Sequence, residues 1–287
     1  MNQEGKGKVR RPVVAGKFYG KGKEDLIEQI ENCYLSPYGP GDLPELGTGK
    51  ELKGALGLIV PHAGYPASGP VAASGFRWLA QKGRPEVVVI VGTNHTGMGP
   101  PVAISSQGKW STPLGSAEIE TDLAEELKEG CEKLVEDDRA FAREHSIEVE
   151  LPFLQYSFGE DLRFVPICVG SREREEVEGL GRSLARLLPR EGVGLIASSD
   201  FTHYEPYEVA RARDREALDA IVDLDLSLFY ERVRAKKMSI CGVGPIGALL
   251  AFSRERGLEA EELNYCTSGD TTGRKDQVVG YAAVKFE

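Results

Sequence analysis

The sequence predicts an α/β protein, with a mostly parallel or mixed central sheet sandwiched between helices in a three-layer arrangement. Two observations predict it. Short, mostly apolar runs alternate along the chain with amphipathic stretches of helical length. Three of the runs also end directly in polar clusters that carry histidine: Pro61-His62-Ala63-Gly64-Tyr65, Thr93-Asn94-His95-Thr96 and Ser199-Asp200-Phe201-Thr202-His203-Tyr204. In an open parallel sheet the carboxyl ends of the strands are where ligands bind, so imidazoles delivered there face a common crevice.

Each element has its own signal. Lys23–Leu35 reads as a helix, with Leu26, Ile27 and Ile30 set among charges, and a Pro/Gly-rich loop follows from Ser36 to about Gly49. Gly54–Val60 is a strand and Ser68–Gln81 the helix after it. Glu86–Val91 is a continuous β-branched run after one Glu, the pattern of a strand covered on both faces. Val102–Ser105 is a further strand and Ile119–Leu134 a charged helix. His145–Phe158 places Ile147, Leu151, Leu154 and Phe158 at helical spacing despite Pro152. Arg163–Val169 and Val193–Ala197 are strands separated by a helix over Arg174–Leu188. Helices over Glu208–Val222 and Leu226–Ala235 lead to Cys241-Gly242, which opens a helical stretch through Ala251. Strands over Leu263–Thr267 and Val278–Val284 finish the chain. No linker-like shift in composition interrupts residues 1–287, so one domain is expected, with residues 1–22 a partly flexible N-terminal segment.

Thirty-five basic against forty-five acidic residues give a net charge of −10, which argues against nucleic acid as a partner. The basic cluster Lys6, Lys8, Arg10 and Arg11 reads as a solvated tail. No apolar run approaches the ~20 residues that span a bilayer, and no secretory signal opens the sequence, so a cytoplasmic protein without a membrane partner is expected. The five cysteines, Cys33, Cys131, Cys168, Cys241 and Cys266, are widely spaced and form no Cys-x-x-Cys pair. That excludes a zinc ribbon and disfavours a disulfide framework.

With only four histidines in the chain, their placement carries information. His62 and His95 follow consecutive buried strands and are candidates for one site. Asp200 and His203, three apart at a third strand end, can serve as ligand and orienting partner or as base and partner. His145 precedes Glu148 by three residues, and both would share a face of the expected helix; His145 is a candidate acid/base. Cys241 stands just before a helix start, where the positive end of the helix dipole favours the thiolate that ligates metals. Gly242-Val243-Gly244-Pro245-Ile246-Gly247 formally matches the dinucleotide fingerprint, but it lies late in the chain and outside an opening βαβ unit. Strict phosphate-loop, nucleophile-elbow and His-Glu-x-x-His motifs are absent.

Taken in order, the clusters resemble the Memo family, also called AmmeMemoRadiSam system protein B. The resemblance is carried by Arg11-Pro12-Val13-Val14-Ala15-Gly16-Lys17-Phe18-Tyr19, Val60-Pro61-His62-Ala63-Gly64-Tyr65, Gly92-Thr93-Asn94-His95 and Trp110-Ser111-Thr112-Pro113-Leu114-Gly115. It continues with Glu144-His145-Ser146-Ile147-Glu148, Ser199-Asp200-Phe201-Thr202-His203-Tyr204 and Cys241-Gly242. Gly20 stands where the family often has proline. The resemblance implies a fold similar to class III extradiol dioxygenases. It implies His62, His95 and Cys241 as metal ligands, Asp200 and His203 close by, and His145 positioned for proton transfer. A thiolate in place of the dioxygenase carboxylate softens the site, so iron is the first expectation for the metal, with copper or zinc as alternatives. The activity expected is that of a metal-dependent redox or oxygenase-like enzyme on a small molecule. The alternatives are a non-catalytic module binding a peptide or phosphorylated ligand in the same pocket, and an accessory protein to a radical-enzyme partner.

Overall fold

The computed structural model describes residues 8–45, 50–159 and 161–287. Lys6 and the end of the expected Pro/Gly-rich loop lie outside the described residues. In chain order the elements are β1 (Val9–Arg10), α1 (Lys23–Leu35), β2 (Ala55–Val60), α2 (Tyr65–Lys82), β3 (Val87–Thr93), β4 (Val102–Ile104), β5 (Lys109–Thr112), β6 (Gly115–Ile119), α3 (Thr121–Gly130) and β7 (Val135–Glu136). There follow α4 (Leu151–Phe158), β8 (Arg163–Val169), α5 (Arg174–Leu187), β9 (Val193–Ser198), β10 (His203–Glu205), α6 (Tyr207–Val222), α7 (Leu226–Ala235), α8 (Val243–Arg256), β11 (Ala260–Thr267), α9 (Ser268–Thr272) and β12 (Val278–Phe286). Single 3₁₀ turns occur at Asp138–Ala140 and Glu148–Glu150.

The sheet runs β1-β5-β6-β8-β3-β9-β2-β12-β10, with β11 also on β12, β4 on β8 and β7 on β4. From β6 through β8, β3 and β9 to β2 every neighbour is parallel. Around that centre the sheet is mixed, because β12 lies antiparallel to β2, β10 and β11, and β4 antiparallel to β8. Strands β2, β3 and β9 are buried at every position. Two glycines fix the layers. A Cβ at Gly57 of β2 would meet Leu249 of α8, whereas one at Gly75 of α2 would meet Val60 and Leu58 of β2. Odd and even positions of a strand point to opposite faces, so α2 and α8 cover opposite sides of the sheet. The expected helix–sheet–helix sandwich is the observed one.

Three local expectations change. The stretch expected to begin a helix at Ile119 instead closes a hairpin, in which β5 and β6 pair Ser111 with Ser116 and Thr112 with Gly115 around Pro113-Leu114. Helix α3 begins only at Thr121. His145 is not helical: a 3₁₀ turn occupies Glu148–Glu150 and α4 starts at Leu151, with Pro152 in its first turn, where a missing N–H costs nothing. His145 and Glu148 therefore do not share a helix face.

The basic cluster is not a uniform solvated tail. Arg10 lies over the Trp110 ring, 4.1 Å from its centroid, and its Nη1 pairs with Glu148 Oε2 at 2.7 Å. Glu148, 1 % exposed, also accepts from Val13 N–H, Val14 N–H and the Tyr19 hydroxyl. Lys8 pairs with Asp138, while Arg11 is exposed. Among the described residues no helix is long and apolar enough to cross a membrane.

Candidate metal centre

Because β2, β3 and β9 are parallel neighbours, their carboxyl ends lie on one edge, and the residues just beyond them meet. His62 follows β2, His95 follows β3, Ser198 ends β9 with Asp200 two residues on, and Cys241 stands just before α8. Donor atoms of His62, His95 and Cys241 lie within 4.8 Å of one another, a grouping that could hold a metal ion. Cys241 Sγ is 3.3 Å from His62 Nε2. The ligand–ligand edge of a tetrahedral zinc site with one sulfur is about 3.5 Å, so the spacing suits a shared ion.

Both imidazoles are held from behind. His62, 1 % exposed, has Nδ1 2.7 Å from Ser198 Oγ. The Ser198 hydroxyl also lies 2.6 Å from the Ser146 carbonyl and 2.8 Å from Glu150 Oε1. His95 Nδ1 is 2.9 Å from Glu144 Oε1, and a ring nitrogen lies within 4.8 Å of the Cys241 sulfur. An imidazole whose far nitrogen is fixed by a carboxylate or hydroxyl, leaving the near one free, is the usual arrangement of a metal-ligating histidine.

The electrostatics agree. Burial holds His62 well below the usual imidazole range, aided by the neighbouring His95 and His145, so it is a neutral donor. Burial alone would also depress His95, but hydrogen bonds to Cys241 and Glu144 outweigh it and push its pKa up to about 10. The site thus attracts a positive charge. A pKa of about 10 favours a proton on His95, and a metal ion binding there would have to displace it. The residues fit a metal on this chemistry as well as on distance.

Glu144 braces two loops. Burial would raise its pKa, but His95, the Ser146 N–H and His145 bring it down to about 2. Its Oε2 accepts from His95 N–H at 2.6 Å, and its Oε1 from His145 N–H at 2.7 Å and Ser146 N–H at 2.9 Å. His95, Glu144 and His145 form a second grouping compatible with a metal, but Glu144 is already engaged by these donors. Its structural work is to aim His95.

His145 stacks on His95 with centroids 4.7 Å apart and meets Phe18 edge-on at 4.9 Å. Burial lowers its pKa against the raising effect of Glu144, leaving a neutral ring able to take a proton. Among the described residues Asp200 makes its hydrogen bond to the His62 main chain and not to an imidazole ring. Its Oδ1 accepts from the His62 main-chain N–H at 2.9 Å, and its own N–H points to Cys241 Sγ at 3.2 Å. Burial raises Asp200 to about 6, opposed by His203. His203 stands outside the histidine cluster, with Nδ1 2.8 Å from the Ser239 carbonyl. Ser198, Glu144 and Glu150 were not singled out in the sequence. The only trace of Glu150 was a carboxylate between Val149 and Leu151, inside an apolar stretch.

The dinucleotide-like glycines have a packing explanation. A Cβ at Gly242 would fall inside the Ser199 side chain, one at Gly244 would lie 2.6 Å from the Ser171 carbonyl, and one at Gly247 2.8 Å from Val177. Gly242 and Gly244 let the start of α8 close on the ends of β9 and β8, Gly247 lets the helix pack on α5 and α7, and together they place Cys241.

Fold and site together define an α/β sandwich protein carrying, on the carboxyl edge of its parallel strands, a His/His/Cys group able to hold a metal ion. The chain belongs to the Memo-like protein family, whose pattern matches residues 10–285. It is 46 % identical over 281 residues to a MEMO1 family protein of Methanopyrus kandleri, covering 96 % of this chain and 98 % of that one. To a MEMO1 family protein of Pyrobaculum aerophilum it is 45 % identical over 282 residues, covering 97 % and 99 %. Among solved structures, an uncharacterized Escherichia coli K12 protein superposes with a TM-score of 0.57 at 16 % identity, covering 81 % of this chain and 99 % of that one. That likeness concerns the fold alone.

Proposed function

We propose that this chain is a metal protein in which His62, His95 and Cys241 bind one transition-metal ion, and that the ion serves redox chemistry of an oxygenase-like kind on a small aromatic or polar substrate. The observation that carries the reading is the convergence of two imidazoles on one sulfur, each imidazole held at its far nitrogen by Ser198 or Glu144. Two nitrogens and one sulfur suit iron first, with copper or zinc as alternatives, and three protein ligands leave a position for substrate or water. A bound ion would supply Lewis acidity and, as iron or copper, electron transfer. The chain's own residues supply the rest. His145, neutral and stacked on His95, is the group suited to accept a proton from a substrate beside it. Asp200 holds the His62 main chain, and Phe18 packs edge-on against the His145 ring.

The test is elemental analysis after anaerobic purification and after reconstitution with iron, copper or zinc, for the wild type beside His62→Ala and Cys241→Ala. Near-stoichiometric metal in the wild type and its loss in both variants is expected. No uptake by the wild type would overturn the reading. Peptide affinity that survives chelation and Cys241→Ser would instead favour a binding module.

A further inference from the structure

The Ser198 hydroxyl has three partners and one proton. Ser146 O, at 2.6 Å, is a carbonyl and can only accept, so the hydroxyl proton belongs there. The other two partners, His62 Nδ1 at 2.7 Å and Glu150 Oε1 at 2.8 Å, must then both donate to Ser198 Oγ. For His62 this gives the tautomer protonated at Nδ1, with the Nε2 lone pair free toward Cys241. For Glu150 it requires a proton on the carboxyl group.

We propose that Glu150 is a neutral carboxylic acid and a positioning residue of the centre, donating its O–H to Ser198 and so ordering the hydrogen bonds that hold His62. Three further observations favour the acid. Glu150 is 0 % exposed. Among the described residues no ion pair joins it to a lysine or arginine, and the charged group that acts on it is the acidic Asp200. Its second oxygen, Oε2, has no hydrogen-bond partner in the structure, a far smaller cost for a neutral carbonyl than for an ionised oxygen. Burial accordingly pushes its ionisation well above the usual carboxylate range, against the Ser198 hydrogen bond. The alternative, an ionised Glu150 taking the Ser198 proton, would leave Ser146 O and Ser198 Oγ facing each other at 2.6 Å without a hydrogen between them.

A neutral Glu150 adds no charge to the centre. Its contribution is a directed proton, and an amide can imitate that where a carboxylate cannot. The effect on metal binding rests on the proposed metal reading; the protonation state does not.

Two measurements test this. Infrared difference spectra of metal-free wild type minus Glu150→Gln at neutral pH should contain a protonated-carboxyl carbonyl band that shifts in heavy water, and its absence would overturn the proposal. Cobalt(II) titration, read by the sulfur-to-metal charge-transfer absorption of Cys241, should give Glu150→Gln near wild-type affinity with a superimposable pH profile. Glu150→Leu, which has no donor, should bind roughly tenfold to a hundredfold more weakly, as for other groups that orient metal ligands. If Glu150→Gln is weakened as much as Glu150→Leu, the supporting form is the carboxylate and the proposal fails. If the wild type takes up no cobalt, the metal reading fails, and the infrared spectrum still decides the state of Glu150.

Discussion

Arg10 Nη1 lies 2.7 Å from Glu148 Oε2, joining the first strand to a 3₁₀ turn 138 residues further along the chain. The same carboxylate takes N–H groups from Val13 and Val14 and the Tyr19 hydroxyl, so one buried anion fastens the segment from Arg10 to Tyr19, including Phe18, whose ring meets His145.

Removing that anion leaves a guanidinium and several donors without their partner. Glu148→Ala should lower stability by about 3–5 kcal/mol, the range for breaking a buried ion pair from one side. Chemical denaturation measures the loss, and limited proteolysis near Arg11 and Lys17 should accelerate. A change below ~1 kcal/mol would mean that the clamp is ornamental.

Gly242 has no room for a side chain against Ser199. Gly242→Ala should fold with a loss of about 1–3 kcal/mol, the usual cost of overpacking. The displaced entrance of α8 should carry Cys241 away from His62, so zinc affinity falls further than stability does. Ser199→Gly in the same chain should restore part of both. Unchanged zinc affinity in the single variant would show that the helix entrance adapts without moving the sulfur.

His145 and His203 should be dispensable for holding metal. His145 faces Phe18 and stacks on His95, and His203 is turned to Ser239. Metal content of His145→Ala and His203→Ala, measured beside His62→Ala, should stay at the wild-type level. Loss of metal in either would add a ligand to the set.

The pair His95–Glu144 gives the metal-free protein a pH signature. The pKa of His95 is raised to about 10, above its unfolded value near 6.5, so its contribution is complete below 6.5 and fades as pH rises through about 10. That of Glu144 is depressed to about 2, so its contribution is complete above about 4.5 and is lost as pH falls through about 2. The His95–Glu144 attraction contributes to both shifts, beside Cys241 acting on His95 and the Ser146 N–H and His145 acting on Glu144, and it is fully present between those unfolded values. Thermal denaturation across pH, wild type against Glu144→Gln, should differ most in that window and converge toward both extremes. A constant difference would assign the stability of the pair to packing instead.

The central architecture was legible because β2, β3 and β9 are buried on both faces, and continuous apolar runs ending in polar clusters advertise such strands. The convergence of His62, His95 and Cys241 followed from that together with the family resemblance. The hairpin of β5 and β6 was missed because Lys109–Thr112 alternates only weakly, Ser111 and Thr112 being small and polar. The setting of His145 was misread because apolar spacing from Ile147 to Phe158 is compatible with a helix beginning anywhere in that interval, and only the tertiary demand for Glu148 at Arg10 fixes the turn. Ser198 and Glu150 escaped for a simpler reason. Their importance lies in which groups they meet, at separations of 136 and 48 residues, and no local pattern encodes that.

The proposed ligands are widely dispersed along the chain, with His62 and Cys241 separated by 179 residues. No short segment contains two of the three donors, so an unfolded chain offers a metal ion no chelate. The entropy of closing so long a loop must be met by sheet assembly before the donors can meet. In a zinc finger the ion drives folding; in the proposed centre metallation would follow folding, because Cys241 meets His62 only once α8 is in place. A refolding experiment should therefore proceed at the same rate with or without metal, the ion slowing only the return journey.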